Sequence, residues 1–361
     1  MILKNLKLVL IYFGNKVPRY AVQNANRLAE LFDFEVYFFV DSFGNIPTDI
    51  GIHARVNLRE IAVIETAGEA LFGHDAEFRG GFWLHTFNRL LQIKAIHREL
   101  GPENPILHIE ADMLIMPSFP FEFVLANKLK WFRHNHMSDV ASIMYFPNFV
   151  ETEWMHSQLL NEVSKDSRLT DMSALKKIRE KNPSRIDVFP DMFLSEDSEQ
   201  KVGIFDGYAL GIWLCGVDPR NTFGMSIIHE NSEYKVEGTN DLGDLIGESD
   251  FYLEDEEIKV ARNVVVQVIH CLHIHSKDEK ILCSNNSERL KELLKIAKNG
   301  KPIVIDFQFE ILIKLFHQNL KSKTLFAYLK NLIRFLSKKD KRGIPRLLAI
   351  LKFMLKHRRV K

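Results

Sequence analysis

The spacing of apolar and polar positions divides the chain into alternating strands and helices. Leu6 to Phe13 (LKLVLIYF) is a continuous β-favouring run closed by Gly14 and Pro18, as a buried central strand entering a loop would be. Ala21, Ala25, Leu28 and Leu31 then recur at helical spacing, and Glu35 to Val40 (EVYFFV) is a second strand ended by Asp41, Ser42 and Gly44. Strand, helix and strand with short connections begin a parallel α/β sheet. Apolar positions from Thr86 to Leu100 predict a one-faced helix, stopped by Gly101 and Pro102. Pro105 to Ile109 follows as a short buried strand running into Glu110-Ala111-Asp112.

Further along, Val140 to Phe146 reads as a strand, Met172 to Lys181 as a helix, and Ile204 to Val217 as a turn followed by an apolar stretch. Val264 to Ile274 reads as a β-branched strand running into His275-Ser276-Lys277. No internal repeat or low-complexity segment interrupts the pattern. The pattern predicts a body over residues 1–306 and a helical appendage over 307–361. In that tail Leu325, Leu329, Leu332 and Leu336 alternate with Lys323, Lys330, Arg334 and Lys338, and Pro345 opens a last helix after Gly343.

Charge sharpens this division. From Ile311 onward fifteen Lys or Arg face one acid, Asp340, a surplus of fourteen; with a net charge of +1 overall, the rest carries thirteen negative charges. An acidic body with a basic tail predicts a localised anionic partner, and two readings stand for the tail: a cap packed on the body, or attachment to an anionic membrane surface. Nucleic acid is not expected, because the body is acidic and no nucleic-acid motif occurs. The 361 residues, 46% of them hydrophobic, suffice for a full core. Neither a signal-peptide pattern nor an apolar run of spanning length is present, so the expected location is cytoplasmic, peripheral at the inner face of the membrane if the tail binds there. Cys215, Cys271 and Cys283 lack metal or redox spacing and read as buried thiols.

The chemistry gathers at Glu110-x-Asp112. Ligands of open α/β sheets collect at the carboxyl ends of strands. Two acids one residue apart at such an end offer hard oxygen ligands to Mg²⁺ or Mn²⁺, which leave positions open for phosphate oxygens. The bland alternative is a solvated turn. Downstream, alternation along an extended strand would put His273, His275 and Lys277 on one face, with His270 on the other.

The run from His108 to Asp112, with Arg89 on the helix before it, resembles the Asp-x-Asp region of GT-A-fold nucleotide-sugar glycosyltransferases, especially bacterial polysaccharide and capsule enzymes. Pro18-Arg19-Tyr20, Asn24 and the second strand ending at Asp41 are similar to the nucleotide-binding half of that fold. Phe205-Asp206-Gly207 through Leu210-Gly211, on to Gly216-Val217-Asp218-Pro219, looks like its sugar- and acceptor-facing segment, and Leu272 to Lys277 resembles the late His and Lys that complete its metal and diphosphate site. The resemblance spans about Leu6 to Lys277. It departs at Glu110, which stands where the family has Asp.

The resemblance implies a Rossmann-like, mixed but mostly parallel sheet flanked by helices, binding a nucleotide-diphosphate sugar, a UDP-sugar foremost, with Mn²⁺ or Mg²⁺ as cofactor and a glycan or lipid-linked acceptor. Asp112 would hold the ion with one of the two late histidines, and Glu110 would reach the ion or the donor. Lys277 would meet a phosphate, since transfer builds negative charge on a departing diphosphate. Two readings stand for Asp41, a base or ribose contact and a turn residue. Arg89 pairs with a phosphate, pairs with Glu110, or braces its helix. Asp206 is the candidate reacting-centre carboxylate, with Gly207 allowing close backbone approach to the donor, against a plain Asp-Gly turn. Asp171 reaches the acceptor or caps its helix.

Two other functions compete. A sugar-nucleotide nucleotidyltransferase would want a Gly-rich phosphate loop after the first strand, and Gly14-Asn15-Lys16 is too sparse for one. A non-catalytic glycan- or nucleotide-binding scaffold would tolerate loss of Asp112.

Overall fold

A computed structural model describes residues 5–61, 82–133, 138–189, 203–215, 249–262 and 265–297. Among these the order is β1 (Lys7–Tyr12), α1 (Arg19–Leu31), β2 (Glu35–Val40), β3 (Val56–Glu60), α2 (Phe82–Leu100), β4 (Ile106–Ile109) and β5 (Met113–Ile115). Then come α3 (Phe121–Val124), β6 (Leu129–Arg133), β7 (Asp139–Phe146), α4 (Phe149–Lys165), α5 (Asp171–Lys181) and β8 (Ile186–Val188). The last elements are β9 (Ile204–Phe205), α6 (Ala209–Cys215), β10 (Asp250–Glu254), β11 (Glu257–Arg262), β12 (Val265–His273) and α7 (Ser287–Ala297).

Seven strands form the main sheet in the order β3-β2-β1-β4-β7-β6-β8. The first four run parallel, β7 is antiparallel to both β4 and β6, and β8 is parallel to β6. The expected mixed, mostly parallel α/β sheet is therefore present. Its strand order reverses beside β1, with β2 on one side and β4 on the other, which opens a crevice at the carboxyl ends of β1 and β4. Strands covered on both faces are mostly apolar. Accordingly Leu8, Val9, Leu10 and Ile11 of β1 and every residue of β4 are buried. Leu8, Leu10, Phe38 and Leu107 pack in one core with Ala21, Ala25 and Leu28 of α1. Val9, Ile11, Phe39 and Ile106 pack in the other with Leu90 and Leu91 of α2, Leu159 of α4 and Leu175 of α5.

A second sheet, β10-β11-β12-β5, with β9 alongside β12, lies over α6 and α7 around Leu210, Leu214, Ile269, Leu272, Leu290 and Leu294. Its decisive feature is the antiparallel pairing of β12 with β5, Leu272 opposite Leu114 and His273 opposite Met113. Because β5 follows the Glu110–Asp112 turn directly, this register brings the far end of β12 to the crevice of the main sheet.

Three expectations shift. The helix read from Ala21 begins at Arg19, since Pro18 with its fixed φ sets the start. Strand β12 stops at His273, so Ile274 to Lys277 is a turn rather than an extension of the strand. Asp171 does not cap its helix; Thr170 does, its side chain accepting from Ser173 N–H at 3.2 Å. Gly216 to Pro219, the boundary at 306 and the basic tail lie outside the described residues. Among those described, no helix is long and apolar enough to cross a membrane.

Candidate metal centre

The centre is built on the turn between β4 and β5. Met113 N–H donates to the Glu110 carbonyl at 3.0 Å, closing a tight turn that turns two carboxylates into the crevice. Across it, Ile274 N–H donates to the Asp112 carbonyl at 2.8 Å and fixes the end of β12 against the turn. His273 Nε2 then stands 3.2 Å from Asp112 Oδ2 and 3.5 Å from Glu110 Oε2. One ligand atom from each of Glu110, Asp112 and His273 lies within 4.8 Å of the others. Two cations complete the neighbourhood: Arg89 pairs with Glu110 and Lys277 with Asp112.

The donor set fits a divalent ion on one point of geometry. His273 Nδ1 lies 2.9 Å from the Gly207 carbonyl. A carbonyl only accepts, so Nδ1 carries the hydrogen, and in the neutral ring the lone pair resides on Nε2, aimed at both carboxylates. This second hydrogen bond is the usual device that fixes a ligating imidazole. A carboxylate pair with one imidazole suits Mn²⁺ or Mg²⁺ better than a thiophilic metal. Burial raises the Glu110 carboxyl, but the charges of Arg89 and Lys277 outweigh it and hold the group low, ionised and ready to coordinate.

The Asp206-Gly207 turn supports His273 from behind, and the Asp206 carboxylate is engaged by backbone donors. Asp206 Oδ1 accepts from Tyr208 and Leu210 N–H at 3.1 and 2.9 Å, and Oδ2 accepts from Gly211 and His273 N–H at 2.6 and 3.3 Å. Four backbone donors consume both oxygens. Burial raises its affinity for a proton while these N–H groups lower it, with a net upward shift. Gly207 and Gly211 are there for packing: a Cβ on Gly207 would lie 2.5 Å from the Phe132 ring, and one on Gly211 would lie 2.1 Å from the His273 carbonyl.

His275 and Lys277 reach the site by a different route from the one expected. His275 N–H donates to the His273 carbonyl and Lys277 N–H to that of Ile274, both at 3.0 Å, and Lys277 adopts a left-handed φ of 57°. The turn folds Lys277 back onto Asp112. The His275 ring lies 4.0 Å from that of His273 at a tilt of 33° and edge-on at 4.7 Å against Tyr208, and it is not one of the three clustered residues. Asp41 is occupied in loop closure, accepting Gly14 N–H at 3.0 Å and the Asn45 amide at 3.1 Å.

On the α2 and α5 side of Glu110 lies a layer of buried polar side chains. Period-two alternation puts His108 on the Glu110 face of β4, and Ser142, whose carbonyl accepts Glu110 N–H at 2.9 Å, lies opposite on β7. Asp171 enters from the start of α5. Burial raises its carboxyl, Arg89 lowers it and Glu110 raises it again, leaving it at about 6. Burial likewise depresses His108 to about 3, so that ring is neutral. Asp171 Oδ1, Arg89 Nε, His108 Nε2 and Ser142 Oγ are buried without a hydrogen-bond partner. Groups of this kind are costly unless a polar ligand meets them. Sequence reading missed this layer: His108 and Ser142 sit inside apolar runs, and only topology joins them to Asp171.

No family model and no curated protein matches the chain. Solved structures similar to it include three described as glycosyltransferases. One, involved in the glycosylation of the major capsid of PBCV-1, is 12% identical over 51% of this chain and 81% of that one, with a TM-score of 0.34. GlyE of Streptococcus pneumoniae TIGR4 is 11% identical in its apo form, over 51% of this chain and 45% of its own length, with a TM-score of 0.34. PaToxG is 8% identical over 49% of this chain and 70% of that one, with a TM-score of 0.31. The chain thus spans less than half of GlyE.

Proposed function

We propose that this chain is a metal-dependent glycosyltransferase of GT-A type that takes a sugar from a nucleotide-diphosphate donor, a UDP-sugar foremost, to a glycan or lipid-linked acceptor. The observation that carries the reading is the convergence of Glu110, Asp112 and His273 Nε2 at a strand-end crevice, with His273 Nδ1 tied to a carbonyl. Glu110, Asp112 and His273 would hold Mn²⁺ or Mg²⁺, which supplies charge neutralisation for a departing diphosphate. Lys277 leaves Asp112 to meet a phosphate oxygen as a point charge. Arg89, whose Nη2 pairs with Glu110 while its Nε is buried without a partner, would meet the donor. Asp171, with a carboxyl near 6, is poised to accept a proton from an incoming hydroxyl at neutral pH, the task first given to Asp206. The basic tail would bring this body to an anionic membrane surface carrying a lipid-linked acceptor.

The test is a thermal-shift panel of nucleoside diphosphates with and without Mn²⁺, repeated on Asp112→Ala. A ligand that binds only the folded state raises its melting temperature. The expected result is stabilisation by one nucleoside diphosphate, UDP first, that requires metal and disappears in the variant although the variant melts cooperatively. Absence of any nucleotide shift in the unmodified protein would refute the reading and favour a scaffold.

A further inference from the structure

We infer that Asn24, on α1 and outside the ligand set, is a positioning residue that fixes the aim of Asp112; the inference rests on the metal-binding reading of the site. Asn24 is fully buried. Its amide nitrogen donates to two carbonyls at once, those of Ala111 at 3.1 Å and Met113 at 2.8 Å, the residues on either side of Asp112 in the chain. The remaining carbonyls of the turn are also engaged, Glu110 by Met113 N–H and Asp112 by Ile274 N–H. Every carbonyl from Glu110 to Met113 is therefore tied, and one side chain ties half of them.

The orientation of this amide is not free. Rotating it would set the Asn24 oxygen against two carbonyl oxygens, so the nitrogen must face the turn. One helical turn on, Arg27 is buried on the same face of α1, and its Nη1 donates to the Ile115 carbonyl at 2.7 Å. Helix α1 thus grips β5 at its far end and the turn at its apex. A backbone turn held at both flanks cannot rock, and rocking about those flanks is the motion that would swing the Asp112 carboxylate away from His273 Nε2.

The experiment is an Mn²⁺ titration followed by electron paramagnetic resonance on the full chain, run beside thermal melts, for the unmodified protein, Asn24→Ala, Asn24→Ser and Asn286→Ala. Asn286 is a matched control, buried and donating its amide to the Ile281 carbonyl at 2.7 Å on the second sheet's flank. Loss of an outer hydrogen bond that orients a ligand costs roughly 10- to 100-fold in metal affinity. Asn24→Ala is expected to weaken Mn²⁺ binding by that factor and Asn24→Ser, with one donor left, by less. Asn286→Ala should melt lower yet bind Mn²⁺ within about twofold of the unmodified protein, because its lost bond does not orient a ligand. Asn24→Ala binding Mn²⁺ as the unmodified protein does overturns the inference alone; if that variant does not fold, Asn24→Ser decides on the same criterion. An unmodified protein that binds no Mn²⁺ overturns the metal reading, and this inference with it.

Discussion

Lys277, on a left-handed backbone, closes an ion pair onto Asp112, so an ammonium rests against the carboxylate that a divalent cation would claim. The two positive charges compete for one ligand. Lys277→Met should therefore bind Mn²⁺ more tightly, on the order of tenfold, because a unit charge about 5 Å from a divalent ion costs about 1.7 kcal/mol even at the dielectric of water. Turnover should fall in the same variant, since the phosphate loses its cationic partner. Calorimetric titration with Mn²⁺ measures the first effect. Weaker binding by the variant would mean that the lysine assembles the site instead of competing for it.

Asp206 separates a structural carboxylate from a reacting one. Asp206→Ala strands three N–H groups at the start of α6 and that of His273 at the end of β12, and should cost about 3 kcal/mol in urea unfolding. Asp206→Asn keeps one acceptor oxygen and should fall between, with turnover reduced only in proportion to the loss of folded protein. Full stability together with lost turnover in Asp206→Asn would restore the catalytic assignment.

Gly211→Ala drives a methyl group into the His273 carbonyl, at a backbone atom that cannot yield locally. The expected cost is about 3 kcal/mol, the upper part of the overpacking range. If His273 is a ligand, as proposed, Mn²⁺ affinity should drop along with the melting temperature. A variant with unchanged affinity would show that β12 and α6 separate without disturbing the imidazole.

How far the sequence revealed these arrangements depended on whether a signal was local. Strands β1, β2 and β4 and helices α1 and α2 announced themselves through apolar period and through breakers such as Gly14 and Gly101, because burial on both faces keeps most positions inside such a strand apolar. Glu110, Asp112, His273 and Lys277 were legible as residue types, and the fold brings all four together. The geometry behind them was not legible. Alternation along a strand placed His273, His275 and Lys277 on one face, whereas a turn delivers Lys277 and sets His275 in a tilted contact against the His273 ring. Nothing in the string shows that four backbone amides converge on Asp206. Thr170 and Asp171 adjoin, and only the backbone angles settle which one is the cap.

Away from the site, His97 links acidity to stability. Its ring is fully buried, with Nδ1 2.7 Å from Thr152 Oγ1, and burial lowers it to about 4 from the ordinary 6.5. As pH falls below 6.5 the unfolded chain takes up a proton that the folded ring refuses until about pH 4, so stability is lost across that window, by up to about 3 kcal/mol. His97→Gln does not titrate. Urea unfolding at pH 7.5 and near pH 4.5 should show the variant losing less stability than the unmodified protein on acidification. Equal losses would mean that the ring opens to solvent before it is protonated.

The pairing of β12 with β5 also has a temporal meaning. A chain leaving the ribosome exposes Glu110 and Asp112 early, but the imidazole that completes the trio emerges only with the last strand of the second sheet. Partly synthesised protein would have two carboxylates and no grip, so cation capture would come late and would reward only molecules whose two sheets have already docked. An ion held in the proposed way would act as a checkpoint on assembly, and starving newly made protein of it should leave the second sheet the first part of the fold to come loose.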